Sequence, residues 1–137
     1  MSDEEDGNVS LSELQLALMR QLWMRGDGGE ASTAEVAEGL RNERGLAHTT
    51  VATLLTRLEK RGLVASRREG RGLVYRALVS EAQVQRSMVS GLLSNLFEGK
   101  ASALLTHLLA QNEIGDSDLA QMRALLSKRK GGGGHAD

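Results

Sequence analysis

The chain has 137 residues, a formal net charge of −1 and no cysteine. This length suits one domain of ordinary size, or a small domain with an extension. The absence of cysteine excludes disulfides, thiolate metal clusters and cysteine nucleophiles. No apolar run reaches the ~18 residues that a membrane span needs, and residues 1–7 are acidic, unlike a secretory signal. We therefore expect a cytoplasmic protein.

The basic residues are concentrated in the middle of the chain. Between Arg41 and Arg76 there are nine arginines and lysines against three glutamates, so this segment carries +6 and the remainder carries −7. A basic stretch in an otherwise acidic chain is typical of a surface that binds a polyanion. A basic face that is merely solvated explains the charge equally well at this stage.

The first part of the chain predicts two capped helices. Ser10 and Glu13 have the spacing of a capping box, so a first helix begins there and ends at the glycines within 26–29. Ser32 and Glu35 repeat the pattern and open a short second helix. In both cases the helix pattern is supported by apolar residues at intervals of three and four.

The middle of the chain predicts a third helix and then a β-hairpin. Residues 48–61 have one apolar stripe, formed by Val51, Leu54, Leu55 and Leu58. Gly62 stands where a helix C-cap is expected. The period then becomes two, which predicts strands over 63–69 and 73–79. We expect both glycines of the turn at 70–72 to adopt positive φ angles.

The last part of the chain predicts three more helices, which Gly99 and the segment around Asp116 or Ser117 separate. The first of them begins with a capping box formed by Ser80 and Gln83. Amphipathic helices of this kind do not easily bury their apolar faces alone, so we expect them to form a dimer; an extension of the first core is the alternative. The predicted dimer residues are Met88, Leu92, Leu96, Leu104, Leu105, Leu108, Leu109, Leu119, Met122, Leu125 and Leu126.

Three helices followed by a hairpin are the order of elements in a winged helix-turn-helix domain. We therefore predict a mostly α-helical fold with a small β-hairpin. The predicted parts are a disordered acidic N-terminus (1–9), the winged-helix DNA-binding domain (10–79), a helical dimerisation domain (80–130) and a flexible tail (131–137).

The third helix is the candidate DNA-reading element. Its face opposite the apolar stripe is narrow and has short polar side chains, which suit a major groove about 12 Å wide. Basic residues at its end would reach phosphates, and the basic hairpin would contact the DNA backbone or the minor groove. The predicted DNA-binding residues are His48, Thr49, Thr50, Ala52, Thr53, Thr56, Arg57, Lys60, Arg61, Arg67, Arg68, Arg71 and Tyr75.

The most distinctive segment is Thr49-Thr-Val-Ala-Thr-Leu-Leu-Thr-Arg-Leu-Glu-Lys-Arg-Gly-Leu63, and two shorter ones are Leu11-Ser-Glu-Leu14 and Met19-Arg-Gln-Leu-Trp23. They resemble the recognition helix and the first helix of the BlaI/MecI family of penicillinase-type repressors. The likeness continues to about Lys130. It implies a homodimer that binds a palindromic operator in double-stranded DNA and represses transcription, with the C-terminal helices forming the dimer.

The chain also departs from the pattern of that family. Antibiotic-responsive members are cut between Asn and Phe in the fifth helix, where this chain has His107-Leu108, so we do not expect induction by proteolysis here. Copper-responsive members carry C-terminal cysteines, which this chain lacks. The inducing signal, like the operator sequence, is not specified by the sequence.

Other classes of function have weaker support. An enzyme would need a base near a nucleophile, and His48, His107 and His135 show no such spacing. A metal sensor would need converging ligands, whereas Asp116 and Asp118 are explained as partners of a helix start. We therefore predict no enzyme, no metal and no cofactor. A winged-helix module that binds proteins instead of DNA remains the alternative.

Overall fold

The computed structural model describes residues 9–133. This part of the chain contains six helices and three strands, in agreement with the predicted fold class. In chain order they are α1 (Glu13–Trp23), β1 (Ala31–Ser32), α2 (Thr33–Arg44), α3 (His48–Lys60), β2 (Val64–Glu69), β3 (Gly72–Ala77), α4 (Glu81–Phe97), α5 (Ala101–Ala110) and α6 (Asp116–Gly133). None of the helices between residues 9 and 133 is both long and apolar enough to cross a membrane.

Helix α1 begins two residues later than the sequence predicts. Ser12, and not Ser10, is the N-cap: its hydroxyl accepts from the Gln15 backbone N–H, and the Gln15 side chain accepts from the Ser12 backbone N–H. The prediction was wrong because glutamine closes a capping box as well as glutamate does. Leu11, which is buried, is thereby kept in the extended segment before the helix.

Helices α2 and α3 pack with α1 around one core. The predicted capping box of α2 is confirmed, since the Ser32 hydroxyl accepts from Glu35 N and a Glu35 carboxylate oxygen accepts from Ser32 N. Helix α3 ends at Lys60 with Arg61 as its C-cap, and Gly62, which was predicted as the cap, follows directly with a φ of +80°. The largest fully buried side chains of this core are Leu18, Met19, Leu22, Leu40, Leu55, Leu58, Val36, Val51, Val64 and Val84.

The sheet has three strands in the order β1-β3-β2, and the two pairs are antiparallel. Strand β1 was not predicted. The hairpin turn consists of Gly70 and Arg71, because Glu69 already pairs with Gly72. Gly70 has a φ of +63°, but Gly72 belongs to β3 and has no positive φ, so the prediction was wrong for that glycine. Strand β3 ends at Ala77 and not at residue 79.

The chain divides into two compact units between Gly91 and Leu92. The beginning of α4 therefore lies in the first unit, where the predicted capping box of Ser80 and Gln83 forms. Met88, predicted to lie in the dimer surface, is half-buried and packs against the core of this unit instead. Its packing follows from its position one turn after Val84, which is fully buried.

At both ends, structured residues extend into the segments that were predicted to be disordered or flexible. Val9 packs against the core, and its backbone N–H donates to Ser87 Oγ. Helix α6 continues to Gly133, beyond the predicted start of the tail at residue 131. Residues 1–8 and 134–137, which include most of the predicted disordered ends, lie outside the described residues.

Candidate nucleic-acid interface

Helix α3 separates an apolar face from a polar one. Val51, Leu55 and Leu58 are fully buried against the other elements of the first unit. At 100° per residue, Thr49, Thr53, Thr56 and Lys60 fall within an arc of about 60° on the opposite side. All four are exposed, and we call the three threonines the threonine face.

The other predicted residues of α3 flank this face. His48, Thr50 and Arg57 are exposed, while Ala52 and Arg61 are half-buried at its borders. All the predicted DNA-binding residues of α3 and its C-cap are therefore at least partly exposed.

The beginning of α3 has no side-chain cap. Ala47 is the N-cap residue and offers no oxygen, and the first turn contains no acidic side chain. By contrast, α1 and α2 both begin with a capping box. The first backbone N–H groups of α3 and the positive end of its dipole are thus left without an anionic or hydroxyl partner from a cap, which favours an external phosphate.

Two hydroxyls of the threonine face are engaged within the helix. Thr53 Oγ1 donates to the Thr49 carbonyl at 3.0 Å, and Thr56 Oγ1 donates to the Ala52 carbonyl at 2.9 Å. These bonds fix the rotamers and use the hydroxyl protons. What remains toward solvent is an acceptor oxygen and a methyl group, which suit the amino groups of adenine or cytosine and the methyl group of thymine.

The hairpin contacts α3 through one of its faces. Ser66 Oγ donates to Glu59 Oε2 of α3 at 2.7 Å. Side chains alternate along a strand, so Arg68 shares the face of Ser66 and Arg67 lies on the other. The two arginines, which the sequence analysis treated alike, therefore have different surroundings.

Arg67 is held by two carboxylates. Its Nε and Nη2 donate to Glu30 Oε2 at 2.8 Å and Glu30 Oε1 at 2.6 Å, and Nη2 also donates to Glu69 Oε1 at 2.7 Å. The hydrogen bonds from Arg67 hold the pKa of the Glu30 carboxyl below its ordinary value, against the opposing effect of desolvation. Within residues 9–133 no such ion pair engages the other predicted cations, namely Arg57, Lys60, Arg61, Arg68 and Arg71.

Tyr75 does not belong to this surface. It is only 2% exposed and lies in the core, where it pairs with Ala31 of β1 and Ser66 of β2. The prediction that Tyr75 contacts DNA was wrong because its side chain points to the core side of the sheet. Conversely, sequence reasoning missed Glu30, because a single acidic residue before the second helix does not indicate its partner.

The histidines form no metal site in the part of the chain that the structure describes, where no group of three or more histidines and carboxylates converges. His107 lies with its ring edge-on to Phe97, with 6.1 Å between the ring centroids. His135 lies outside the described residues.

Residues 11–128 match the penicillinase repressor family. The chain belongs to this family. Members of the penicillinase repressor family are transcriptional repressors and not enzymes, in agreement with the prediction. The resemblance to BlaI and MecI proteins that the α1 and α3 segments indicated is thereby confirmed.

Among the relatives is the transcriptional regulator BlaI of Mycobacterium tuberculosis (strain CDC 1551 / Oshkosh), 31% identical over 126 residues, or 91% of this chain and 88% of the relative. The methicillin resistance regulatory protein MecI of Mammaliicoccus sciuri is 21% identical over 125 residues, or 91% of this chain and 99% of the relative. Among solved structures, the DNA-binding domain of the repressor BlaI has a TM-score of 0.47 and 28% identity, covering 54% of this chain and 87% of that one.

Proposed function

We propose that this member of the penicillinase repressor family binds double-stranded DNA sequence-specifically, as a homodimer on a palindromic operator. The observation that carries the proposal is the threonine face of α3, a narrow exposed surface of short polar side chains, beside which lie cations that form no ion pair within residues 9–133. Such a surface fits the major groove, where base edges are distinguishable.

The threonine face reads bases, and the surrounding cations bind the phosphate backbone. Thr53 and Thr56 present an acceptor oxygen and a methyl group, because their hydroxyl protons are used within the helix. Arg57, Lys60 and Arg68 neutralise phosphates, which gives affinity and orientation but no sequence information. The uncapped start of α3 adds a further phosphate contact.

The second unit supplies the dimer contact. No residue from Leu92 to Arg129 is buried within the single chain. Its most exposed leucines are Leu92, Leu96, Leu105, Leu109, Leu125 and Leu126, with exposed fractions from 38% to 68%. Exposed leucines in this number are typical of an interface, and a second copy of the chain covers them here.

Two variants of α3 test the division between base and phosphate contacts. The probes are a duplex enriched from a random pool by the wild-type protein and a duplex of random sequence, both titrated by fluorescence anisotropy. We expect Thr53→Ala to weaken binding to the enriched duplex selectively, and Lys60→Met to weaken both and to flatten the salt slope by ~0.9. Equal weakening of both duplexes by Thr53→Ala contradicts base reading.

A charge placed among the exposed leucines tests the dimer. Leu109 is 52% exposed, so Leu109→Lys leaves the fold of one chain intact but puts a cation into the proposed interface. We expect this variant to sediment as a monomer and to lose affinity for the enriched duplex. Ala110→Lys, which places the same charge at an exposed residue on the side of α5 opposite the middle of its leucine stripe, is the matched control and remains a dimer. A dimeric Leu109→Lys protein contradicts the assignment.

A further inference from the structure

The ion pair of Glu30 and Arg67 connects the two outer strands of the sheet. Glu30 immediately precedes β1, and Arg67 is in β2, while β3 lies between them. Arg67 pairs with Val74 of β3, and Val74 pairs on its other side with Ser32. The guanidinium therefore reaches across the middle strand to Glu30, and Glu69 holds it from its own strand.

Arg67 also lies on the face of the sheet away from α3. Ser66 Oγ bonds to Glu59 of α3, and the alternation of the strand places Arg67 on the opposite face. DNA that contacts the threonine face would meet Arg68, which shares the face of Ser66, before Arg67. Arg67, whose Nε and Nη2 are engaged by two carboxylates, is turned from that surface.

The hairpin needs such a connection because its outer part has little other support. Strand β1 has two residues and pairs only with Val74 and Tyr75, so the hairpin is two-stranded beyond Val74. The residues of that part from Arg68 to Gly72 are exposed, and only Leu73 packs, half-buried, against the core. A two-stranded hairpin with so little buried surface is marginally stable in water.

We propose that Glu30, Arg67 and Glu69 form a clamp that fixes the hairpin beside α3, and that Arg67 is a positioning residue and not a phosphate ligand. The clamp orients Arg68 and Arg71 toward the DNA. This inference rests on the proposed DNA binding, and it assigns to an acidic residue, Glu30, a favourable effect on the binding of a polyanion.

The test combines affinity with its salt dependence on the enriched duplex. We expect Arg67→Met and Glu30→Gln each to weaken binding by roughly two- to fivefold, as for an exposed pair of good geometry. The slope of log affinity against log salt stays unchanged in both, because no phosphate contact is lost. Arg68→Met lowers that slope by ~0.9.

Two comparisons separate positioning from simple electrostatics. The double variant with Arg67→Met and Glu30→Gln binds no more weakly than either single variant, because the two residues act as one unit. Glu43→Gln removes the same charge from an exposed glutamate that has no ion pair within residues 9–133. Electrostatics alone predicts that Glu43→Gln and Glu30→Gln both tighten binding, whereas the clamp predicts that Glu30→Gln weakens it.

Three results overturn the proposal. If Arg67→Met lowers the salt slope as Arg68→Met does, Arg67 is a phosphate ligand. If Glu30→Gln tightens binding, the carboxylate only competes with DNA for Arg67. If the losses of affinity caused by Arg67→Met and Glu30→Gln add fully in the double variant, the two residues do not act as one unit. A wild-type protein without salt-dependent binding, or an Arg68→Met protein of unchanged slope, is a failure of the proposed DNA contact itself and is distinguishable from these.

Discussion

Gly39 of α2 lies directly against a side chain of α1, that of Gln21. A Cβ built on Gly39 would lie 1.9 Å from Gln21 Oε1 and 2.6 Å from Gln21 Cδ. Gln21, on α1, is only 9% exposed, so its side chain has little free space to move into. Gly39→Ala therefore forces the Gln21 side chain out of its place between the helices.

Two opposing effects set the size of the change. Alanine in place of glycine within a helix stabilises by ~1 kcal/mol, whereas overpacking a filled site costs ~1–3 kcal/mol. We predict that Gly39→Ala lowers the free energy of unfolding by about 1 kcal/mol net. The assay is urea denaturation of the full chain at one protein concentration, followed by the fluorescence of Trp23.

A second helical glycine provides the matched control. Gly91 of α4 has no atom within 4 Å of an added Cβ, so Gly91→Ala gains the helix preference without a clash and stabilises by ~1 kcal/mol. When Gln21→Ala is already present, Gly39→Ala becomes stabilising as well. Equal stabilisation by Gly39→Ala and Gly91→Ala in the wild-type background would refute the close packing of α1 on α2.

Two further predictions concern a helix cap and an ion pair. Ser12→Ala lowers the free energy of unfolding by ~1 kcal/mol in urea denaturation, while Ser10→Ala changes it by less than ~0.5 kcal/mol; the reverse order would contradict the cap at Ser12. The pKa of Glu30 is lowered by Arg67, so its stabilising effect is present above the unfolded pKa and lost as pH falls through the folded one. The difference in stability between wild type and Glu30→Gln should therefore be present at pH 7 and decline as pH falls below the ordinary glutamate pKa of about 4.3; a difference that does not decline on acidification would exclude this origin.

The elements that the sequence predicted well are those with a local cause. The stripe of α3 follows from the spacing of four apolar residues, and it also determines which side chains face away. The starts of α2 and α4 follow from capping boxes at Ser32 and Ser80, whose partners lie three residues away. The hairpin follows from a change of period and from Gly70.

The features that were missed depend on contacts between distant residues. Strand β1 has two residues, too few to show a period, and exists because β3 offers a free edge beside it. The partner of Arg67 lies 37 residues earlier in the chain, so no local pattern reveals it. Tyr75 was predictable, since Leu73, Tyr75 and Ala77 alternate as one apolar face.

The exposed leucines of the second unit show another kind of limit. A single sequence indicates amphipathic helices but not whether their apolar faces meet each other or a second chain. The structure leaves Leu109 and Leu126 more than half exposed within one chain, which supports the second possibility. Met88, although its spacing fits the same stripe, packs into the first unit.

The measurement that tests the central claim most directly is the selection of bound duplexes from a random pool, followed by the mass of the complex with the enriched duplex. We predict a motif with two-fold symmetry, affinity that falls steeply as salt rises, and two protein chains per duplex. No enrichment and no salt dependence would contradict DNA binding and favour a protein-binding winged helix, and an asymmetric motif bound by one chain would contradict the dimer.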